Sequence, residues 1–300
     1  PCVICMPDGA PISKVEATKA YGAKVCLVKG AYDDAYEYAC QLQEKEGYTF
    51  IHPFNDPQVI AGQGTIGLEI LDQLPDVDVV LVPVGGGGLI SGVAYAIKKL
   101  RPGCKVYGVQ AAGAPSMEES LKSHEAITLD AVSTFAEGIA VKHPGDVTFD
   151  LVSRYVDGVV TVTDDETACA ILALMEKQKL VTEGAGAVAV AAAMFGKVDL
   201  KGKKAVCLLS GGNIDVNILS RVITRGLTIA GRNSTLTLQL EDKPGQLKDV
   251  SEIISRNGGN VVRVHYNQAD PNLAITSCYL TVSMETRDHE QVEEIRGDLT

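Results

Sequence analysis

The sequence lacks a basic cluster. Its 38 acidic residues outnumber 27 Lys and Arg, the formal net charge is −11, and no stretch offsets this locally, which argues against a nucleic-acid surface. It also lacks any apolar run approaching a membrane span, and no signal-peptide pattern opens it; the expected setting is the cytoplasm, away from membranes. Eight cysteines are present, yet no second C-x-x-C and no His cluster accompany Cys2 and Cys5, so zinc ranks behind buried thiols in a reducing compartment. The G-x-G-x-x-G spacing of dinucleotide folds is missing too: Gly86, Gly88 and Ser91 come nearest. The strand that follows, KVYGVQ, ends in Gln110 where a ribose-binding acid is expected. Gln also hydrogen-bonds a ribose, so the nicotinamide reading is weakened and stays open.

What is present is ordinary globular composition, 46% apolar over 300 residues, enough for a sizeable core. Strand and helix patterns alternate. CVICM, KVCLV, TFIHPF, VVLVPV, KVYGVQ, VVTVT and AVCLLSGGN read as strands. Residues 12–22, Tyr32–Glu46, Pro57–Leu74, the stretch after the glycines, Asp164–Lys179 and Ala-rich Gly184–Phe195 read as helices. Such alternation predicts an α/β fold with parallel sheets, whose ligands sit at the carboxyl ends of strands.

Near residue 230 the pattern changes. TIAGRNS reads as a linker. Ser234–Leu240 alternates polar and apolar as a half-exposed strand does, followed by a helix over Pro244–Asn257, strands over Asn260–Tyr266 and Ile275–Met284, and a helix start at Asp288–Ile295. This β-α-β-β-α order is a ferredoxin-like α+β module short of its last strand. The first strand begins at once after Pro1, which is no initiator. The expectation is a piece of a longer chain, cut at both ends, with CVICM left with an unpaired edge.

Two glycine-rich strand ends stand out. VPVGGGGLISG places Gly85, Gly86, Gly87 and Gly88 between an apolar strand and a helix. Gly is costly to order, and bare N–H groups at a helix start suit a phosphate. A tight turn explains one such Gly more easily than four. LLSGGN places Ser210 at a second strand end, where its hydroxyl meets a polar ring atom or caps a helix. Together the two sites suit a compact phosphorylated heterocycle.

These motifs, with HPFNDPQVIAGQGTIGLEIL, FAEGIAV, TEGAGA and LLSGGNID, resemble the fold type II (tryptophan synthase β-like) pyridoxal-phosphate enzymes, and among them the threonine dehydratases, with serine racemases next. The tail, with LEDKPGQL, resembles an ACT regulatory domain. The resemblance implies residues 1–50 as the remainder of a small subdomain, 51–228 as the large cofactor-binding subdomain and 233–300 as a truncated ACT domain. It implies pyridoxal phosphate held by Gly85, Gly86, Gly87, Gly88 and Leu89 through backbone N–H groups, Ser210 at the pyridine nitrogen, and Glu137, Gly138 and Glu183 beside the ring. A neutral hydroxyl at that nitrogen leaves the ring a weaker electron sink, which suits prompt β-elimination. The implied reaction is deamination of L-threonine to 2-oxobutanoate and ammonia, with L-serine to pyruvate second. Serine racemase or dehydratase chemistry, or a non-catalytic amino-acid sensor, are the rivals. The family's Schiff-base lysine and substrate-carboxylate loop lie in Ser-Phe-Lys and Ser-Gly-Asn-His motifs, both absent here and expected upstream of Pro1; Lys14 and Lys19 read as solvated helix charges. Where the racemase branch places a divalent cation this chain has Gln110, Ala114 and Ser116. That leaves a monovalent ion near Gln110 and Ala114 as the remaining option. An amino-acid or nucleotide effector is expected at Asp242, Pro244, Gly245, Gln246 and Leu247, and the assembly is expected to be a homodimer or homotetramer. His52 and Asn55 lie near the site by resemblance, or fix a turn.

Overall fold

The computed structural model describes every residue except Pro1, Pro11 and Ala31, and every described side chain except those of Ser13, Tyr32 and Asp33. The chain begins with β1 (Val3–Pro7), α1 (Ile12–Ala20), β2 (Lys24–Val28) and α2 (Tyr32–Glu46). The strands β1 and β2 pair parallel in a two-stranded sheet, and among the described residues no third strand joins them.

Next come α3 (Pro57–Gln73), β3 (Val79–Pro83), α4 (Gly88–Leu100), β4 (Lys105–Ala111), α5 (Ser116–Ser123), α6 (Asp146–Tyr155), β5 (Gly158–Val162), α7 (Asp164–Ala173), α8 (Gly184–Met194), β6 (Ala205–Cys207) and α9 (Val216–Ile229). Four strands form a parallel sheet in the order β5-β4-β3-β6. Every residue of β3 is buried. Its alternate side chains explain why: Val79 and Leu81 pack with α7 and α8, while Val80 and Val82 pack with α4 on the other face. The small residues of α8 let it lie close to the sheet, with Ala187, Val188, Ala189, Ala191 and Ala192 buried. Capping follows the sequence. Asp56 accepts from the N–H groups of Gln58 and Val59 ahead of α3, and Thr163 with Glu166 forms a capping box on α7.

The last part comprises β7 (Asn233–Glu241), α10 (Gln246–Arg256), β8 (Asn260–Asn267), β9 (Ser277–Glu285) and α11 (His289–Leu299). Its strands pair antiparallel in the order β7-β9-β8. Leu236, Leu238 and Leu240 of β7 and Leu280, Val282 and Met284 of β9 present one apolar face to Val250 and Ile254 of α10 and Ile295 of α11.

Several elements differ from the sequence expectation. TFIHPF is not a strand; His52 instead takes the N–H groups of Phe54 and Asn55, closing a turn where ladder bonds were expected. β6 ends at Cys207. One further bond, Leu208 N–H to Leu81 O at 3.0 Å, extends the pairing before the chain leaves the sheet. The helix expected over 164–179 widens into a π-helical turn at Leu174–Gln178, closed by Lys179 at φ 60°. Pro244 and Gly245 form a turn, and α10 starts at Gln246. Helices α5, α6 and α9 carried no expectation. The first two have no side-chain N-cap hydrogen bond to announce them.

Candidate functional site

The chain leaves β3 at Pro83 and enters α4 at Gly88. Gly87 is the N-cap of α4 with φ 96°, a left-handed conformation that favours glycine. It brings no side chain to the first-turn N–H groups, so those donors stay open at the positive end of the helix. Protein neighbours constrain the same run. A Cβ on Gly86 would lie 2.4 Å from Phe54 ring carbons, one on Gly88 2.8 Å from Phe54 Cα, and one on Gly85 3.0 Å from Ile139 Cα. The close packing of a tight turn and the open N–H donors therefore occur in the same loop, with Phe54 pressing the bare backbone into place.

A second layer fixes that backbone. The buried Thr148 hydroxyl donates to Gly86 O at 2.6 Å and also lies 2.9 Å from Gly145 O. Asn55 Oδ1 accepts from Val147 N–H at 3.1 Å, tying the start of α6 to the Phe54 turn. His52 Nδ1 accepts from Asn55 N–H at 2.8 Å and from Phe54 N–H at 3.2 Å. Burial holds the imidazole below its usual pKa, against the pull of Asp56, which suits a ring nitrogen used as an acceptor. His52 and Asn55 thus fix turns around the glycine loop. Phe54 and Thr148 were missed in the sequence. HPFND hinted at the first, and nothing local marks Thr148.

The glycines open onto a cleft of ≈ 500 Å³. Gly85, Gly86, Gly87, Gly88 and Leu89 line one side, and Gly138, Glu183 and Ser210 line it too. Ser210 is exposed, beyond β6. Glu137 borders an adjoining cavity with Lys14, Asn213 and Asp215, and Gly138 and Glu183 belong to both spaces. Eight of the nine residues expected around a cofactor therefore line one cleft, at the carboxyl ends of the parallel strands, and Glu137 lines only the adjoining space. Glu183 Oε2 accepts from Asn213 N–H at 3.1 Å. Burial pushes its carboxyl above the ordinary glutamate pKa; the Asn213 N–H and Lys14 oppose this, and Glu137 adds to it.

The residues fit pyridoxal phosphate. Uncapped N–H donors at a helix start suit a phosphate, and the Ser210 hydroxyl in the same cleft suits a ring nitrogen, while among the described residues no lysine lines it. The cation position fits less well. Gln110 is fully buried and its Oε1 accepts from Glu118 N–H at 2.9 Å. Its free end is an NH2 donor, with Ser116 Oγ likewise buried and unpartnered. The Gln110 NH2 does not ligate a cation, whereas the Ser116 hydroxyl oxygen has the lone pairs to do so.

In the C-terminal part, Asp242 was expected at the effector site. Its carboxylate already accepts from Tyr266 OH at 2.8 Å and Gln268 Nε2 at 2.6 Å. Hydrogen bonding with Cys278 and then Asp242 pushes the Tyr266 phenol well up. Gly245 caps α10 at φ 101° with no side chain. Pro244 precedes it, and Gln246 and the exposed Leu247 form the first turn.

A family model described as pyridoxal-phosphate dependent enzyme matches residues 1–211. The L-threonine ammonia-lyase of Thermotoga maritima is 51% identical over 295 residues, 98% of this chain and 73% of that protein. The enzyme of the same name from Geobacter sulfurreducens is 46% identical over 300 residues, 100% of this chain and 74% of that protein. Among solved structures, the processed form of threonine deaminase isoform 2 from Solanum lycopersicum superposes with a TM-score of 0.71 at 40% identity, covering 74% of this chain and 62% of that one. No described helix is long and apolar enough to cross a membrane. On this similarity, and on a glycine loop, a strand-end serine and two glutamates drawn together, the chain belongs to the pyridoxal-phosphate dependent enzymes, in their threonine ammonia-lyase family.

Proposed function

We propose that this chain carries the site of a threonine ammonia-lyase, deaminating L-threonine to 2-oxobutanoate and ammonia and L-serine to pyruvate. The observation that carries the reading is 51% identity over nearly the whole chain to an L-threonine ammonia-lyase, in a protein whose cleft already fits the cofactor. When bound, pyridoxal phosphate supplies an electron sink for the substrate Cα.

The chain's own residues then have distinct tasks. The N–H groups of Gly85 to Leu89 bind the phosphate, and Phe54 and Thr148 hold those N–H groups in place. Ser210 offers the ring nitrogen a neutral partner, which limits the sink and favours departure of the β-hydroxyl. Glu183, raised by burial, holds a proton more readily than an exposed glutamate, and Glu137 and Gly138 bound the ring's edge. The amine that bonds the cofactor is assigned outside Pro1–Thr300, because among the described residues no lysine lines the cleft and Lys14 borders only the adjoining cavity. Residues 233–300 are assigned as an ACT regulatory unit, with 1–50 and 51–228 as small and large parts of the enzyme body. The strand order β7-β9-β8 with both helices on one face supports the ACT assignment. An effector carboxylate would meet the uncapped N–H groups at Gly245, Gln246 and Leu247.

The test uses the full-length gene product with pyridoxal phosphate. Threonine should yield 2-oxobutanoate, and serine pyruvate. D-Serine without keto acid would overturn the reading in favour of a racemase. Borohydride reduction and peptide mapping should label no lysine of Pro1–Thr300 stoichiometrically, and labelled Lys14 would refute that assignment. Calorimetry with isoleucine, valine, threonine and nucleotides tests the regulatory unit: no heat and no change in activity would reject it.

A further inference from the structure

Cys5 of β1 and Cys26 of β2 are partners in register on neighbouring parallel strands. Such strands lie about 4.8 Å apart, inside the span of roughly 4.4–6.8 Å that a disulfide bridges between Cα atoms. Residues in register share a face of the sheet, and the Cys26 thiol is near enough to push the Cys5 thiol up. Both are free and only half-buried. The C-x-x-C motif does not compete. Cys2 and Cys5 are three positions apart along extended chain, about 10 Å, beyond the reach of a bridge. Cys207 sits deeper, and burial pushes its thiol up to about 11.

We propose that Cys5 and Cys26 form a two-thiol site for hydrogen peroxide. One sulfur attacks a peroxide oxygen; the O–O bond breaks, a sulfenic acid forms and the first water leaves. The second sulfur attacks the sulfenic sulfur; the S–S bond forms and the second water leaves. Two electrons pass from the sulfurs to the peroxide, and both thiol protons end in water. The product closes the crossover through α1, the helix that carries Lys14 to the cavity shared with Glu183. Directly opposed strands leave the bridge little torsional freedom, so thiol reductants should reopen it readily. Burial, and then the Cys26 thiol, push the Cys5 thiol up, so attack should quicken as pH rises above neutrality.

The experiment treats the intact chain with one equivalent of hydrogen peroxide at pH 8, alkylates the remaining thiols and maps the peptides by mass spectrometry. The expected product is a peptide pair joined through Cys5 and Cys26, released by dithiothreitol and formed more slowly at pH 7. In Cys26→Ser, and equally in Cys26→Ala, which introduces no polar atom, Cys5 should stop at the sulfenic acid and be trapped by dimedone. Cys5 and Cys26 both alkylated while Cys2 is oxidised would overturn the proposal. So would a Cys5 disulfide to any other cysteine in the wild-type chain.

Discussion

Thr148 donates to the carbonyl oxygen of Gly86 at 2.6 Å across 62 positions of sequence. The bond is buried, and it orients the peptide at Gly86, where a Cβ would lie 2.4 Å from the Phe54 ring. Thr148→Val keeps the shape and removes the donor. Gly86 O would keep only the long bond from Gly145 N–H at 3.4 Å; losing a hydrogen bond costs about 0.5–1.5 kcal/mol, so pyridoxal-phosphate affinity should fall up to roughly tenfold (about 1.4 kcal/mol). Cofactor titration by absorbance checks this; an unchanged Kd with lowered stability would restrict Thr148 to folding.

Gly86→Ala would drive a Cβ to 2.4 Å from the Phe54 ring. Overpacking of this kind costs about 1–3 kcal/mol, and it should displace the N–H donors as well. Gly103→Ala meets nothing within 4 Å and should be close to neutral. Urea midpoints and cofactor titration of the two variants should separate clearly. If the added Phe54→Ala change leaves the Gly86→Ala defect untouched, Phe54 is not its cause.

Ser210→Ala leaves the fold alone, because Ser210 is exposed and beyond the last residue of β6. Turnover of threonine by the full-length protein should fall at saturating cofactor while the melting temperature moves little. Equal rates with full occupancy would remove Ser210 from the ring nitrogen.

Glu183 links the site to pH. Its carboxyl is raised when folded, so the folded chain keeps a proton that the unfolded chain has already lost. Stability therefore falls as pH rises from the ordinary glutamate value through the raised one. Glu183→Gln removes this loss and keeps an acceptor for the Asn213 N–H. Its unfolding midpoint should exceed that of the wild type at pH 7, with the gap closing towards pH 4. A gap independent of pH would mean that Glu183 does not titrate in this window.

The site was legible where chemistry is local. A buried strand, four glycines and a helix with Lys98 and Lys99 in its last turn mark the loop that lines the cleft without any long-range information. Ser210 was legible for the same reason, as a polar residue beside two glycines. Phe54 and Thr148 were not, because their roles depend on contacts dozens of positions away that no periodicity encodes. TFIHPF misled because its pattern is strand-like while the His52 imidazole supplies the local bonds that a neighbouring strand would otherwise make. Asp242 lies beside the Pro244–Gly245 turn, and its partners Tyr266 and Gln268, on and just after β8, are long-range contacts that no local pattern encodes.

The flanked position of β3 gives the molecule two clocks. The amides of Val80, Leu81 and Val82 lie in a strand bonded on both edges and covered on both faces. In deuterated solvent they should exchange only when the whole sheet comes apart, so their rates report global stability. The amides of β1 and β2 belong to a two-stranded ribbon and should exchange through small openings at far lower free energy. A ligand gripping the loop at the end of β3 would slow the first clock by its full binding free energy, and the second only as far as it also restrains α1.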